Sequence, residues 1–362
     1  MIIVCYGRDA VKNTYDTLAA SDIDKYLRGG MAVAIKPNLV VPCPASDGAT
    51  THTGVVEGIV LYLRDFGISN IRVIESSWVG DSTKRAFKYC GYEELSEKYG
   101  LPLIDLKGDS SSAYSCGGYR ISVCDEAMNT DFLINAPVLK AHCQTRFTCC
   151  MKNLKGCIPD SEKRRFHTLG IHRPVAALNA IVKTGYCVVD GLCGDLSFEE
   201  GGHPVDSNRI IAGRSPLLVD SYCAELIGYS PDEIEYISHG KKLGLGEYFS
   251  SGTELIELNT EAKPTFDLRR DRASERYARL VDEDAACSAC YSSLIYALHR
   301  LGGNPRADGR ICIGQGFKGK SGPGVGVGIG IGIGIGDCTR GFAKCVPGCP
   351  PRATEIIKAL GR

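Results

Sequence analysis

The chain has 362 residues, a formal net charge of zero, 44% hydrophobic residues and 23% charged residues. This length exceeds the size at which a single hydrophobic core stops growing, so we expect two domains. No apolar run approaches the length of a bilayer span, and the amino-terminal residues lack the basic and long apolar segments of a secretory signal. Neither insertion into a membrane nor secretion is therefore expected.

Eighteen cysteines are unusual for a chain of this composition. In a long chain without a secretory signal they indicate free thiols in a reducing, anaerobic cytoplasm rather than a disulfide scaffold. Most of them, such as Cys187, lie in apolar runs and are predicted to be small core residues. We predict a cytoplasmic protein.

Strand and helix signals alternate over roughly the first 260 residues. After a first strand at the amino terminus, the predicted strands cover residues 31–35, 71–75, 102–106, 131–137, 186–190 and 209–212. The predicted helices cover residues 53–66, a segment capped by residues 81–83, and residues 174–183 and 216–228. This alternation predicts an α/β domain over residues 1–280, with a mixed, mostly parallel sheet and helices on both faces.

Polar residues at the predicted strand ends are the candidates for ligand binding, because such sheets bind ligands at the carboxyl ends of their strands. The densest polar segment is 138–156. Its lysines and histidine could hold a carboxylate or phosphate and move protons near neutral pH. The predicted ligand-binding residues are Lys36, Asn38, His52, Asn153 and Asp190, and the predicted catalytic residues are Lys140, His142 and Lys152.

Alternatives remain open for these polar segments. The segment 138–156 could be a hydrated loop entering a helix, and His142 with Cys143 could ligate a metal. The carboxylates around Asp190 and Asp220 could bind a divalent cation or cap helices. No metal is predicted at those carboxylates.

Four cysteines near the carboxyl terminus form the frame of an iron–sulfur site. They occur as Cys-x-x-Cys, Gly-Asp-Cys and Gly-Cys-Pro-Pro, at Cys287, Cys290, Cys338 and Cys349. Two thiolates three residues apart can bind one face of a cluster, and the spacing of the second pair fits a 4Fe-4S cubane better than zinc. Zinc, unrelated buried thiols, and replacement of one ligand by Cys345 or Cys312 stay open. The prediction is a small C-terminal 4Fe-4S module over residues 281–362.

The charge of this module differs from that of the rest of the chain. From Cys287 onward it has ten Lys or Arg residues and three acids. Cations stabilise an anionic cluster and favour an acidic electron-transfer partner, such as a ferredoxin or a flavodoxin. Aromatic residues are sparse among these cations, so nucleic acid is not an expected partner.

Glycine alternates with Val or Ile from Gly324 to Gly336. Such a run has high backbone entropy and is typical of a repeat expansion. We predict a Gly-rich insertion over residues 322–336, with a flap over the cluster as the alternative.

These motifs carry a resemblance to a known family. The motifs are Lys36-Pro37-Asn38, Thr51-His52-Thr53, the segments 134–142 and 151–156, Val189-Asp190-Gly191, and the two terminal cysteine motifs. They occur in the order typical of the domain-of-unknown-function 362 family. The resemblance implies an iron–sulfur cluster binding protein and no particular reaction. The tail also resembles the proximal-cluster frame of hydrogenase small subunits, and the large domain resembles the nickel-pincer lactate racemase.

The sequence thus predicts a 4Fe-4S protein that passes single electrons to or from a small anionic ligand in the α/β domain, as an oxidoreductase would. Two other functions stay open. One is an iron–sulfur cluster carrier or assembly factor, and the other is a racemase-like proton-transfer enzyme with a structural cluster.

Overall fold

The structure, a computed structural model, describes residues 1–266, 268, 273–306, 309–321 and 332–361. The chain forms two compact units. Unit 1 comprises Met1–Ala141, Thr145–Lys163 and His172–Arg270, and unit 2 comprises His142–Gln144, Arg164–Ile171 and Asp271–Arg362. The predicted domain boundary after residue 280 falls inside the last segment of unit 2.

The strands are short except for two of ten residues. They are β1 Ile2–Tyr6, β2 Val33–Pro37, β3 Ile71–Glu75, β4 Leu103–Asp105, β5 Ser111–Cys116, β6 Tyr119–Cys124, β7 Phe132–Ala136, β8 Lys140–His142, β9 Arg146–Thr148, β10 Tyr186–Asp195, β11 Pro204–Gly213, β12 Leu255–Leu258, β13 Val281–Glu283, β14 Ile311–Ile313, β15 Ile333–Ile335 and β16 Lys344–Val346.

The helices alternate with these strands through most of the chain. They are α1 Ala10–Ala19, α2 Thr53–Asp65, α3 Thr83–Tyr89, α4 Tyr92–Tyr99, α5 Asp125–Met128, α6 Cys150–Asn153, α7 Asp160–Thr168, α8 His172–Ile181, α9 Pro216–Leu226, α10 Glu235–Lys242, α11 Ala273–Ala278, α12 Ser288–Arg300 and α13 Ala353–Leu360. Within the described part of the chain, none of them combines the length and apolar character needed to cross a bilayer.

Unit 1 is built on an eight-stranded sheet in the order β12-β1-β11-β10-β7-β2-β3-β4. Only β11 runs antiparallel to its two neighbours, and the other adjacent strands pair in parallel. The predicted mixed, mostly parallel α/β fold is therefore confirmed. Two further pairs, β5 with β6 and β8 with β9, lie outside this sheet.

The strands β1, β2 and β7 are buried on both faces, as their mostly apolar sequences favour. Successive side chains of a strand point to opposite faces, so Val188 packs into the core with α1 to α4. Its neighbour Cys187 points to the opposite face and is hydrogen-bonded to Cys150 of α6. Helices thus cover both faces of the sheet.

Local sequence signals set several helix ends where we predicted them. Ser82 precedes α3, and its hydroxyl accepts a hydrogen bond from the backbone N–H of Arg85. Ser215 does the same for Leu218 at the start of α9, where Pro216 takes a position that needs no N–H donor.

Unit 2 contains a four-stranded parallel sheet in the order β13-β14-β15-β16. Its register places Glu283, Ile313, Ile335 and Val346 side by side as the last residues of their strands. Because all four strands run in the same direction, the loops that follow them emerge at one edge of the sheet. The helices α12 and α13 pack against each other in the same unit.

Part of the Gly-Ile run belongs to this sheet. Residues 322–331 of the predicted insertion lie outside the described residues. Ile333–Ile335 form the strand β15, which pairs with β14 on one side and with β16 on the other. Ile335 is buried, so the end of the run has a structural role.

We expect the two ends of the Gly-Ile run to respond differently to change. A Cβ atom added at Gly334 would lie 2.5 Å from the Cβ and hydroxyl of Thr339. Gly334→Ala should therefore lower the stability of unit 2 by about 1–3 kcal/mol, the usual cost of overpacking. Shortening the run to its last five residues, Gly332–Gly336, keeps β15 and should leave the melting temperature unchanged or higher. Anaerobic thermal denaturation of both variants tests this, and a stable Gly334→Ala variant would contradict it.

Candidate functional site

A buried ion pair joins the carboxyl ends of β2 and β3 in unit 1. The Nζ atom of Lys36 lies 3.0 Å from both carboxylate oxygens of Glu75, and the two side chains are 1% and 3% exposed. The same ammonium donates to the carbonyl oxygen of Pro37. Lys36, a predicted ligand-binding residue, thus has its charge balanced within the protein.

Asn153 links this ion pair to Asn38, which follows β2, and to the carboxyl end of β7. Its Oδ1 accepts hydrogen bonds from Lys36 at 3.3 Å and from the Asn38 amide at 2.9 Å. Its Nδ2 donates to the side-chain oxygen of Asn135, the penultimate residue of β7, at 2.8 Å. The structure therefore joins three of the predicted ligand-binding residues, Lys36, Asn38 and Asn153, in one hydrogen-bond network. Lys36 and Asn153 are buried.

Gly156 allows the chain to pass over this network. A Cβ atom at this position would overlap both the Glu75 carboxylate and the Lys36 ammonium. The glycine of the segment 151–156 is thus explained by close approach of backbone to the ion pair rather than by a turn.

The other predicted ligand-binding pair, His52 and Asp190, lies at a separate position in unit 1. The Asp190 carboxylate accepts the backbone N–H groups of His52 at 2.7 Å and Leu192 at 3.0 Å. Burial raises its pKa, while these N–H groups oppose the shift. Both residues line a cavity of about 370 Å³ that also includes Tyr89 and Cys90.

Lys140 is buried beside a second cation. Its Nζ donates to the backbone carbonyls of Ala49 at 2.6 Å and Glu199 at 2.9 Å. Burial lowers its pKa to about 8; the Glu199 carboxylate opposes this shift, and the nearby charge of Lys152 adds to it. The predicted catalytic lysines 140 and 152 thus lie close enough to interact, whereas Lys36 is bound to Glu75.

A third buried lysine in unit 1, Lys163, follows the polar segment 138–156 in the chain and was not among the predicted site residues. Lys163 donates to the carbonyls of Ser76 at 3.1 Å and Ser77 at 2.7 Å and to Asp160 at 3.2 Å. Burial lowers its pKa to about 8, and the Asp160 charge opposes the shift. Nothing in the local sequence distinguishes Lys163 from a surface residue of α7.

The four C-terminal candidate cysteines follow three of the strands of unit 2. Cys287 immediately precedes α12 and Cys290 lies in its first turn, a few residues after β13. Cys338 follows β15, and Cys349 follows β16. Since parallel strands place these loops at one sheet edge, the four thiols share a region that distant sequence positions alone do not reveal.

Three other thiols lie near enough to Cys290 to act on its charge. Burial raises its pKa, and the charges of Cys287, Cys349 and Cys338, in that order, raise it further. Cys349 is also hydrogen-bonded to it. A cation is the usual means of stabilising several thiolates at such close range.

The loops that carry Cys338 and Cys349 are tied to each other. The backbone N–H of Asp337 donates to the carbonyl of Gly348 at 3.0 Å, and the Gly348 N–H donates to the Asp337 carboxylate at 2.7 Å. Gly336 adopts a φ of 88° that favours glycine. A Cβ atom there would lie 3.9 Å from the Cys290 sulfur.

The two alternative cysteines lie in different environments. The Cys345 sulfur lies 3.5 Å from the Thr339 hydroxyl and 3.7 Å from the Gly336 carbonyl oxygen. Cys312 is fully buried with the rings of Phe317 and Phe342. Their placement gives each of these thiols a local packing role.

His142, predicted to be catalytic, belongs to unit 2. Its Nδ1 accepts the backbone N–H of Gln144 at 3.1 Å. The Gln144 side chain donates to the carbonyl of Ala286 at 2.9 Å and accepts from the Ser288 hydroxyl at 2.9 Å. Gln144, which was not predicted as a site residue, therefore binds the residues on both sides of Cys287.

The family model described as "Domain of unknown function (DUF362)" matches residues 33–225, just over half of the chain. The chain belongs to this family. The match covers the Lys36, Asn153 and Asp190 motifs of unit 1, and the family assignment made from the motifs is confirmed.

Two more distant likenesses accompany the family match. The thylakoid-associated protein sll1697 of Synechocystis sp. is 23% identical over 236 residues, which are 61% of this chain and 70% of that protein. The lactate racemase apoprotein of Thermoanaerobacterium thermosaccharolyticum matches with a TM-score of 0.44 and 14% identity, over 64% of this chain. This chain spans 57% of the racemase chain.

Proposed function

We propose that this member of the DUF362 family is a 4Fe-4S protein that transfers single electrons, and that unit 1 binds a small anion to which this transfer is coupled. The observation that supports the cluster is the gathering of Cys287, Cys349 and Cys338 around Cys290. Four thiolates from one region are the usual ligand set of a cubane.

The residues present fit such a cluster. Cys287 and Cys290 lie at the amino-terminal end of α12, a helix of 13 residues whose dipole favours negative charge there. Gly336 leaves open the space beside the Cys290 sulfur that a side chain would fill. When bound, a 4Fe-4S cluster supplies reversible one-electron chemistry.

The chain's own residues would hold and tune this site. Burial raises the pKa of Cys338, and the cations Lys318 and Arg164 oppose the shift. The same cations would stabilise an anionic cluster and help to orient an acidic electron-transfer partner such as a ferredoxin or flavodoxin. Cys349 is exposed at the protein surface, so a partner could approach this ligand directly.

The exposure of Cys349 also supports a second candidate function, that of a cluster carrier or assembly factor. A carrier must release its cluster to an acceptor, and an exposed ligand is the natural point of attack for an incoming thiol. Transfer of iron and sulfide to an apo-ferredoxin would favour the carrier, whereas retention of the cluster through repeated reduction and oxidation favours electron transfer.

For the anion, the support comes from Lys140 and Lys152. The Lys152 ammonium disfavours the charged form of Lys140, so an anion bound beside both would relieve this repulsion. Lys140 donates to two backbone carbonyls, and an ammonium has three donors. A carboxylate or phosphate would suit this environment.

The first test measures iron and acid-labile sulfide in protein purified without oxygen. We expect roughly four of each per chain, as in one cubane. Changing Cys287, Cys290, Cys338 or Cys349 to Ala should abolish the cluster, because each removes a thiolate ligand. Cys345→Ala is the matched control and should keep it. Stoichiometric zinc without sulfide, or loss of iron only in Cys345→Ala, would contradict the proposed ligands.

The second test concerns the anion and its pH dependence. Carboxylates or phosphate should raise the melting temperature by binding the folded state. Since the pKa of Lys140 is about 8, its positive charge is present below that pH and is lost as pH rises through it. The stabilisation should therefore be clear at neutral pH and decline above pH 8 or so.

Lys140→Met removes this ammonium and should abolish the pH-dependent part of the stabilisation while leaving the iron content unchanged. Lys183→Met is a control, because this lysine lines a cavity of unit 1 that includes neither Lys140 nor Lys152. No stabilisation by any of a broad panel of such anions would rule out the anion site and leave the cluster proposal standing.

A further inference from the structure

Four cysteines and a carboxylate meet in the interior of unit 1. They come from three separate parts of the fold: the start of α6, the strand β10 and the helix α9. All are fully buried, at 0% exposure, and they are Cys149, Cys150, Cys187, Asp220 and Cys223. From the sequence, thiols in such positions are expected only to be small core residues, and no metal is expected at Asp220.

Two of the sulfur atoms and the carboxylate lie at the spacing of ligands to one metal ion. The sulfurs of Cys149 and Cys150 are 3.7 Å apart. Two sulfurs bound tetrahedrally to zinc at about 2.3 Å would be separated by roughly 3.8 Å. These two sulfurs and a carboxylate oxygen of Asp220 lie within 4.8 Å of one another.

A third thiol, that of Cys223, lies beside these three donors and is hydrogen-bonded to Cys149. It stands outside the group whose ligand atoms all lie within 4.8 Å of one another. Cys187 in turn is hydrogen-bonded to Cys150. Four donors are the usual number for an enclosed zinc site, so binding would draw the Cys223 sulfur toward the other three as the fourth ligand.

Asp220 argues against a purely apolar role for this cluster. Its carboxylate accepts the backbone N–H groups of Cys150 at 2.7 Å and Met151 at 3.0 Å. This explains how the start of α6 is held, but it does not explain why three thiols surround a buried carboxylate. Core cysteines that act as small hydrophobes have no need of such a neighbour, and a buried carboxylate is costly unless it is compensated.

We propose that Cys149, Cys150, Cys223 and Asp220 form a buried zinc site that joins α6 to α9. Zinc suits the ligand set, because thiolates with one carboxylate in a closed tetrahedral arrangement favour it over calcium or magnesium. A cubane does not suit it, since the ligands of a cluster lie farther apart than these sulfurs. Binding releases the thiol protons, and enclosure of the site means that the ion enters as the chain folds.

The site has a structural consequence for unit 1. The helix α6 ends at Asn153, the residue that holds Lys36 and Asn38. An ion at Cys149 and Cys150 would therefore fix the position of α6 and, through it, the polar network at the strand ends.

Zinc analysis of a chain that lacks the C-terminal thiols tests this proposal. In the parent variant Cys287, Cys290, Cys338 and Cys349 are all changed to Ser, so that zinc has no alternative there. Produced with zinc and without oxygen, this parent should contain roughly one zinc per chain. The further changes Cys149→Ser and Cys223→Ser should remove it.

Cys124→Ser in the same parent is the matched control, since Cys124 is also buried in unit 1 but donates to the carbonyl of Leu106. It should retain the zinc. A parent without zinc, or a double variant that keeps it, would overturn the proposal.

If the double variant does not fold, X-ray absorption at the zinc edge of the parent decides the question. Two or three sulfur neighbours at about 2.3 Å, together with oxygen, would support the site. A shell of oxygen and nitrogen alone would overturn it.

Discussion

Both units depend on one geometric constraint, which is that parallel strands deliver the residues that follow them to a single edge of their sheet. In unit 1 this edge gathers Lys36, Glu75 and Asn135, which Asn153 joins. In unit 2 it gathers the loops that carry Cys287, Cys338 and Cys349. Side chains that are far apart in the chain thus become neighbours; Lys36 and Asn153, for example, are 117 residues apart.

The two sheet edges differ in how their charged groups are stabilised. In unit 1 the Lys36 ammonium is balanced by the Glu75 carboxylate, and loss of either partner of such a buried pair typically costs about 3–5 kcal/mol. In unit 2 the thiols around Cys290 raise its pKa after burial has already raised it. A bound cluster would remove that repulsion, and this is why the cysteine edge is the better candidate for a cofactor.

The large sheet was predicted well because its strands are mostly apolar segments bounded by Gly, Pro and polar residues. The predicted strand 71–75 coincides with β3, and the predicted strand 131–137 contains β7. The strands of unit 2 were not predicted, since each has three residues and one of them lies in the Gly-Ile run.

The site residues were predictable as polar positions but not as partners. The pattern of strands and polar segments identified Lys36 and Asn153 as candidate site residues. It did not indicate that the Glu75 carboxylate would pair with the Lys36 ammonium. Likewise, Cys149 and Cys150 are adjacent in the chain, but their meeting with Cys223 depends on how α9 packs, which periodicity does not specify. Hydrogen-bond partners arise from the tertiary fold, and local sequence patterns carry little information about them.

The central claim is that the four C-terminal thiols hold a redox-active cubane. Electron paramagnetic resonance of anaerobically purified protein during a reductive titration tests this most directly. We expect a signal typical of a reduced 4Fe-4S cluster that appears with one electron per chain and disappears on reoxidation. A protein that contains no iron signal at any potential, with zinc at these thiols, would contradict it.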